Sequence, residues 1–393
     1  MNDERSAPLP EVRLRGERRS NHPWIFQKMV DKPAVRPRPG TVVDILDGNG
    51  AFAGRGFYNG HSRIAVRVLT TDPGEAVDED FFARRIRHAV ALRREVLALD
   101  RITDAYRLVH SEGDDLSGLV VDRFADTLVV EYFSAGMFRQ RDVVRRCLER
   151  EFPGSAVYAF AEEHVQKQES FDCQAPPRPA PTVIQEHGVR FHAAPGSKHK
   201  TGFFADQREN RQLVASFCDG ARMLDLCCNS GGFGITAKVA GGAREVTGVD
   251  LDEDILEVAA QNARLNDARV RFIQADIFHW LRDDGARREP WDVVVLDPAK
   301  MTRDREQVIP ALKKYLDMNK LAMGAVKPGG LLLTCSCTGL VGEDQFLDML
   351  RRAAFYAGRT VQVLKITGAG ADHPWLAHVP ESRYLKAVLC RVM

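Results

Sequence analysis

From Ala221 to the C-terminus the chain alternates short apolar runs with stretches of helical period, and few folds accept that alternation. The runs are ARMLDLC, REVTGVD, VRFIQAD, WDVVVLD and GLLLTCSC. Between them lie helical segments at Gly232–Ala240 and Asp252–Asn266, a short one after Asp276, and two more at Arg305–Val326 and Glu343–Ala357. Such runs are buried on both faces when they lie side by side in a parallel sheet, and each intervening helix supplies a right-handed crossover. The last two runs, TVQVLKITG and RYLKAVLCRVM, have no full helix between them, so the final strand is expected to run antiparallel. The fold class is therefore α/β, with a seven-stranded Rossmann-like sheet. A hairpin, VIQE and VRFH around His187 and Gly188, is expected just before it.

The preceding residues read differently. From Pro23 to Thr70 short β-runs (WIFQKMV, GTVVDIL, AFAGRGFYNG, RIAVRVL) are broken by the hairpin signals Asp47-Gly48 and Asn59-Gly60, which suits a small all-β module over residues 1–75. A helix from Asp78 to about Leu99, with Phe81, Phe82, Ile86, Val90 and Leu92 near helical spacing, opens a central α+β domain over 76–181. Strands YRLVH, GLVVDRF and TLVVEYF, a helix from Arg139 to Glu151 and AVYAFAE complete it. Four prolines in QAPPRPAP, residues 174–181, make a stiff connector to the third domain, 182–393.

No stretch approaches the roughly 18 uninterrupted apolar residues that span a bilayer, so no membrane partner is expected. The opening MNDERSAPLPEVRLRG lacks the apolar core of a secretory leader, which points to the cytoplasm. The eight cysteines are scattered without CxxC pairs, and neither a disulfide framework nor a metal site is indicated. Net charge is only +1, but residues 1–70 hold twelve Lys and Arg against seven Asp and Glu, with Arg13, Arg15, Arg18 and Arg19 clustered. A basic module on a neutral chain fits binding to a phosphate backbone, although a merely solvated surface would look the same.

In open α/β sheets ligands bind beyond the carboxyl ends of the strands. The first strand runs into Asp225, Leu226, Cys227, Cys228, Asn229, Ser230 and then Gly231, Gly232, Phe233 and Gly234, a turn that lets the backbone approach a ligand ahead of a helix N-terminus. The second ends at Asp250, nineteen residues after Gly231, where a carboxylate can take both hydroxyls of a ribose. The third ends at Asp276, placed to accept an exocyclic amino group. Acids at strand ends also cap helices, and Asp252 is read as such a cap. With Leu251 and Ile277 beside these acids, the candidate cofactor set is complete on this side of the sheet. A nicotinamide dinucleotide would use the same half-fold, but the turn reads NSGGFG rather than GxGxxG and no second mononucleotide unit follows. S-adenosylmethionine has no pyrophosphate to cradle and is the expected cofactor.

The fourth strand ends in Leu296, Asp297, Pro298, Ala299 and Lys300, and the fifth in Thr334, Cys335, Ser336, Cys337 and Thr338. If strands four and five lie immediately beside strand one, Asp297 and Cys337 converge on the mouth that holds the methyl donor. Cys335 and Cys337 share a face, and Cys337 lies nearer the carboxyl end. Carbon 5 of cytosine attacks a methyl group only after a thiolate adds at carbon 6, which gives a reason for a thiol there. Asp297 can orient the base, and Lys300 is a candidate for lowering the thiol pKa. A free cysteine is more commonly a small buried hydrophobe, and spacing alone does not separate the two. Methylation of an exocyclic nitrogen, or a non-catalytic RNA-binding assembly factor, would use the same fold.

The segment Lys200 to Arg208 (KTGFFADQR), the SGGF turn, DPAK, CSCTGL ending at Leu340, and the tail DHP from Asp372 with YLK from Tyr384 together resemble the ribosomal RNA large subunit methyltransferase I family. RGERRSNHPWIF resembles the start of its PUA domain and SEGDDLSGLVVDRF its central domain, so the resemblance spans nearly the whole chain. It implies a PUA β-barrel, a central α+β domain and a class I methyltransferase domain that forms 5-methylcytosine in 23S ribosomal RNA, often as a homodimer. It also implies that Cys337 is the nucleophile, that Asp297 belongs to the active site, and that Gln207 and Arg208 lie near the cofactor. Two departures stand out: Ala299 replaces the second proline of the family's Asp-Pro-Pro-Lys, and Cys227, Cys228 and Asn229 occupy a turn that commonly carries an aromatic or hydroxyl residue.

Overall fold

The computed structural model describes residues 8–197, 200–282 and 289–393. Residues 1–7, part of the charged opening read above, lie outside them, as do residues 198–199 and 283–288. Two compact units result: the first runs to Thr182 and takes in Ala194–Phe203 and Ala371–Pro380, and the second comprises Val183–Ala193, Phe204–Gly370 and Glu381–Met393.

In the first unit β1 (Glu11–Arg13), β2 (Trp24–Phe26), β3 (Thr41–Leu46), β4 (Phe52–Tyr58) and β5 (Ile64–Thr70) form a sheet in the order β1-β3-β4-β5-β2. An isolated bridge between Leu14 and Val30 joins the continuations of the two edge strands, closing the sheet around Val12, Ile25, Val43, Ile45 and Val66. Both hairpin signals fall where they were read. Asp47 accepts the Asn49 and Ala51 N–H groups, and the Asn59 side-chain oxygen accepts those of His61 and Ser62. The central part places α1 (Glu79–Ala91) on a four-stranded sheet of β6 (Ala105–His110), β7 (Leu119–Phe124), β8 (Thr127–Tyr132) and β9 (Ala156–Phe160). Asp78 caps α1 through the Phe81 N–H at 2.9 Å. The expected single helix to Leu99 instead passes into a π-helical turn, Leu92–Val96. The helix expected from Arg139 is split at Gln140 into α2 (Ala135–Arg139) and α3 (Arg141–Glu151), and α4 (Glu163–Glu169) follows.

The second unit opens with the hairpin β10 (Thr182–Glu186) and β11 (Val189–Ala193), whose first residue, Thr182, belongs to the first unit, and α5 (Arg208–Ala215). Then come β12 (Arg222–Leu226), α6 (Gly232–Val239), β13 (Glu245–Asp250), α7 (Glu253–Leu265), β14 (Arg271–Gln274) and α8 (Ile277–Arg282). The chain continues through β15 (Trp291–Leu296), α9 (Val308–Ala325), β16 (Val326–Ser336), α10 (Glu343–Ala357), β17 (Val361–Thr367) and β18 (Lys386–Val392). The sheet has seven strands in the order β14-β13-β12-β15-β16-β18-β17, with β18 antiparallel to both neighbours. One expectation needs correcting: β15 adjoins β12, but β16 adjoins β15 and lies one strand further out. Local hydrophobic pattern fixes strand type, whereas neighbour order is decided by crossover packing, which no single run encodes.

A buried ion pair ties the hairpin to α5. Arg211 grips Glu186 with two hydrogen bonds of 2.7 and 2.6 Å, and the two side chains are 3% and 1% exposed. Removing one member strands the other charge away from water, a loss of about 3–5 kcal/mol. Glu186→Ala is therefore expected to lower the urea unfolding free energy by that amount, while Glu186→Leu combined with Arg211→Met recovers most of it.

Candidate active site

The turn after β12 carries three residues in the left-handed region, Cys227 (φ 61°), Asn229 (φ 48°) and Gly231 (φ 81°). At Gly231 the positive φ favours glycine, and an added side chain would also press on the tip of Ile235, 2.9 Å away at Cδ1. The strained turn is held from several sides. The Asn229 N–H donates to Asp250 Oδ2 at 2.8 Å, and the Gly234 N–H donates to Asp225 Oδ2 at 3.0 Å. The Ser230 carbonyl accepts from Asn262 at 3.0 Å, and Asn262 in turn accepts the His192 N–H at 2.7 Å. Asn262, in α7, was not singled out from sequence.

Asp225 is 1% exposed, and its Oδ1 atom has no hydrogen-bond partner. Burial pushes its carboxyl up to about 8 against the opposing Gly234 N–H, and Asp297 and Asp250 push the same way. The neighbouring Cys227 thiol is also raised, by burial first and then by Asp250, Asp297, Asp225 and Asp276. Four acidic side chains therefore act on this one turn. That field repels a pyrophosphate and suits a ligand bearing a sulfonium and an ammonium, with the unpartnered Asp225 oxygen available to the latter. The residues present fit S-adenosylmethionine.

The remaining cofactor candidates fall in different settings. Asp276 lies two residues past the end of β14 at Gln274 and caps α8, accepting the Phe278 and His279 N–H groups at 2.8 and 3.2 Å. Asp252 caps α7 as read, accepting from Ile255. The Ile277 side chain packs in the core with Leu224 and Val249, whereas Leu251 is exposed. Gln207 and Asp297 meet: the Gln207 amide donates to Asp297 Oδ2 at 2.9 Å, while its oxygen accepts from Asn210 at 2.6 Å. Arg208, next to Gln207 in sequence, is fully buried.

Cys337 follows the last residue of β16 and is partly exposed, its Sγ 4.0 Å from the Pro298 carbonyl oxygen. Cys335 is completely buried, and burial raises its thiol well above the usual range. Both flanks of Cys337 are anchored on one phenol. Tyr315 Oη is 2.8 Å from Thr338 Oγ1 and accepts from Ser336 Oγ at 3.1 Å. Thr338 Oγ1 also accepts the Met301 N–H at 3.1 Å, tying the loop that follows Asp297 to the same point. Ala299, at the departure from the double proline, is exposed, and so is Lys300. The buried cation nearby is instead Lys386, which donates to the Thr338 and Tyr384 carbonyls, each at 2.8 Å. Its signal was present as a lysine inside the apolar run RYLKAVL, which reads as a strand and whose YLK belongs to the family resemblance without a role for the lysine. Among the described residues no helix is long and apolar enough to cross a membrane, and no cluster of His, Cys, Asp and Glu could hold a metal.

Comparison with known proteins points to the same cofactor. A profile for S-adenosylmethionine-dependent methyltransferases matches residues 106–390, and one for PUA-like domains matches 16–71. A protein of Aeromonas hydrophila named ribosomal RNA large subunit methyltransferase I is 38% identical over 379 residues, covering 94% of this chain and 95% of its own. Its namesake from Citrobacter koseri is 37% identical over 380 residues, covering 95% and 96%. Among solved structures, a methyltransferase called SMU.776, in complex with SAH, superposes with a TM-score of 0.82 at 17% identity, over 98% of this chain and 100% of its own. The chain belongs to the ribosomal RNA large subunit methyltransferase I family, within the S-adenosylmethionine-dependent methyltransferases.

Proposed function

We propose that the protein methylates carbon 5 of a cytosine in large-subunit ribosomal RNA, in the cytoplasm, with Cys337 as nucleophile. The observation that carries this reading is a partly exposed thiol 4.0 Å from the Pro298 carbonyl, one residue from Asp297, with both of its neighbours pinned to Tyr315. The Cys337 thiolate adds to carbon 6 of the base, and the electron pair displaced from the ring double bond makes carbon 5 nucleophilic. When bound, S-adenosylmethionine supplies the electrophilic methyl group. Asp297, held by Gln207, orients the base through its ring nitrogen and amino group and stabilises the protonated adduct. Loss of the carbon 5 proton then expels the thiolate and restores the ring.

Support for an RNA substrate comes from the family's name, from the PUA-like match over residues 16–71, and from the exposed side chains of Arg13, Arg15 and Arg19 on the same module. Within this reading residues 1–75 bind RNA, 76–181 form the central domain and 182–393 carry out the transfer. The set Asp225, Asn229, Ser230, Gly231, Gly232, Gly234, Asp250, Leu251, Asp276, Ile277 and Asp297, with Gln207 and Arg208, lines the methyl-donor site.

Bisulfite mapping of ribosomal RNA from cells with and without the gene should reveal one large-subunit cytosine that loses its protection in the deletion strain. Cys337→Ala should reduce tritium transfer to that RNA on the order of a thousandfold or more while leaving cofactor affinity within about twofold. Unchanged turnover would remove the thiol from the mechanism.

The raised Asp225 carboxyl has a consequence for binding. Below about 8 it is largely protonated, and a cationic ligand must drive off the proton before gaining an ion pair. S-adenosylmethionine affinity measured by calorimetry should therefore tighten as pH rises from about 6 to about 8, approaching tenfold per pH unit, and then level off. Asp225→Asn should flatten this profile and weaken binding at the high end. The sign for folding is opposite: stability of the cofactor-free protein that is present below the ordinary carboxylate range is lost as pH rises toward 8.

A further inference from the structure

The buried amine of Lys386 occupies a place that the proposed reaction has not used. Lys386 opens β18 and lies directly across from Ser336 in the antiparallel pairing with β16, one residue from Cys337. It is 3% exposed. Its Nζ donates to the main-chain oxygen of Thr338, the residue after Cys337, and to that of Tyr384. Both partners are neutral carbonyls, and an ammonium has a third proton to give. A fixed positive charge is therefore held under the Cys337 loop, where low dielectric screens it poorly.

The charged surroundings bear on what this amine does. Burial pulls Lys386 down to about 8, and the strongest influence opposing that is Cys337, whose thiolate favours the charged amine. Arg383 and Lys300 repel it, and Glu343 attracts it but is itself held by Arg383 at 2.6 Å. Tyr315 is pushed up to about 12 by burial and stays neutral, so it contributes hydrogen bonding rather than charge. Asp297, at the end of the neighbouring strand, opposes a negative sulfur. A thiolate at residue 337 thus needs a nearby cation, and exposed Lys300 is poorly placed to act unscreened.

We propose that Lys386 is the cation that holds Cys337 as a thiolate, a positioning residue acting through the nucleophile. The thiol proton leaves to solvent, Lys386 keeps its three protons, and no bond to lysine forms. This rests on the reading of Cys337 as nucleophile, yet it can be tested without RNA or methyl donor.

The experiment is site-resolved alkylation of the full-length protein by iodoacetamide, followed by mass spectrometry across pH, with partly exposed Cys173 as an internal control thiol. In the wild type the Cys337 profile should have its midpoint below that of an ordinary cysteine, about 8.5. Lys386→Met should slow Cys337 alkylation at neutral pH about tenfold or more and move the midpoint up, with Cys173 unchanged, and Lys386→Arg should restore much of the rate. A wild-type midpoint at or above the ordinary value overturns the proposal, as does a Lys386→Met profile that coincides with wild type. If Lys386→Met loses cooperative thermal melting, the wild-type midpoint decides alone. Failure here leaves the cytosine reading standing, whereas failure of methyl transfer to carbon 5 leaves the alkylation profile unaffected.

Discussion

Carboxylates gathered at the carboxyl edge of one parallel sheet are the constraint on which the rest of this structure depends. Asp225, Asp250, Asp276 and Asp297 all bear on the same turn, and Asp225 has lost its water without gaining a full set of hydrogen bonds. Burying such a group is unfavourable unless a partner arrives. Two N–H groups partly compensate, that of Gly234 in the first turn of α6 on Asp225 and that of Asn229 on Asp250, and the left-handed residues Cys227, Asn229 and Gly231 shape the turn between them. The net negative field that remains selects for a cationic ligand, so cofactor choice follows from the same burial that shapes the turn.

The reacting groups are then fixed by chains of contacts that begin far from them. The Glu186–Arg211 pair clamps the hairpin to α5, and the start of α5 presents Gln207, whose amide is oriented by Asn210 before it reaches Asp297. Asn210 is itself held by Thr367 and the Gly368 carbonyl at the end of β17. On the other side, the Tyr315 phenol in α9 gathers Ser336, Thr338 and, through Thr338, the loop after Asp297. Each link is a buried or partly buried polar group satisfied by its neighbour, so loosening one end shifts the other.

Much of this was legible in the residues because it is local. Period distinguishes strand from helix, the two Xaa-Gly signals mark tight turns, and Asp252 and Asp78 announce helix starts by their spacing from the first apolar turn. What failed to show was long-range. The outward place of β16 depends on crossover packing, and the membership of Ala194–Phe203 and Ala371–Pro380 in the first unit depends on partners distant in sequence. Asp276 looked like a strand end because the apolar run continued to it, whereas β14 stops at Gln274 and the acid serves α8. Lys386 was hidden for a different reason: a lysine in an apolar strand gives no hint of its neighbours until the antiparallel register sets it opposite Ser336. Ser336 and Thr338 likewise read as strand filler until Tyr315, some twenty residues upstream, is seen to hold both.

The central claim is that one sulfur forms a bond to a pyrimidine ring that is then methylated at the adjacent carbon. Fluorine at carbon 5 cannot leave as a cation, so a ribosomal RNA fragment carrying 5-fluorocytosine should halt the reaction after methyl transfer. Incubated with S-adenosylmethionine, the wild-type protein should yield a denaturation-resistant RNA complex, with the modified peptide mapping to Cys337. A methylated product released without any covalent complex, or a complex formed equally well by Cys337→Ala, would contradict the account.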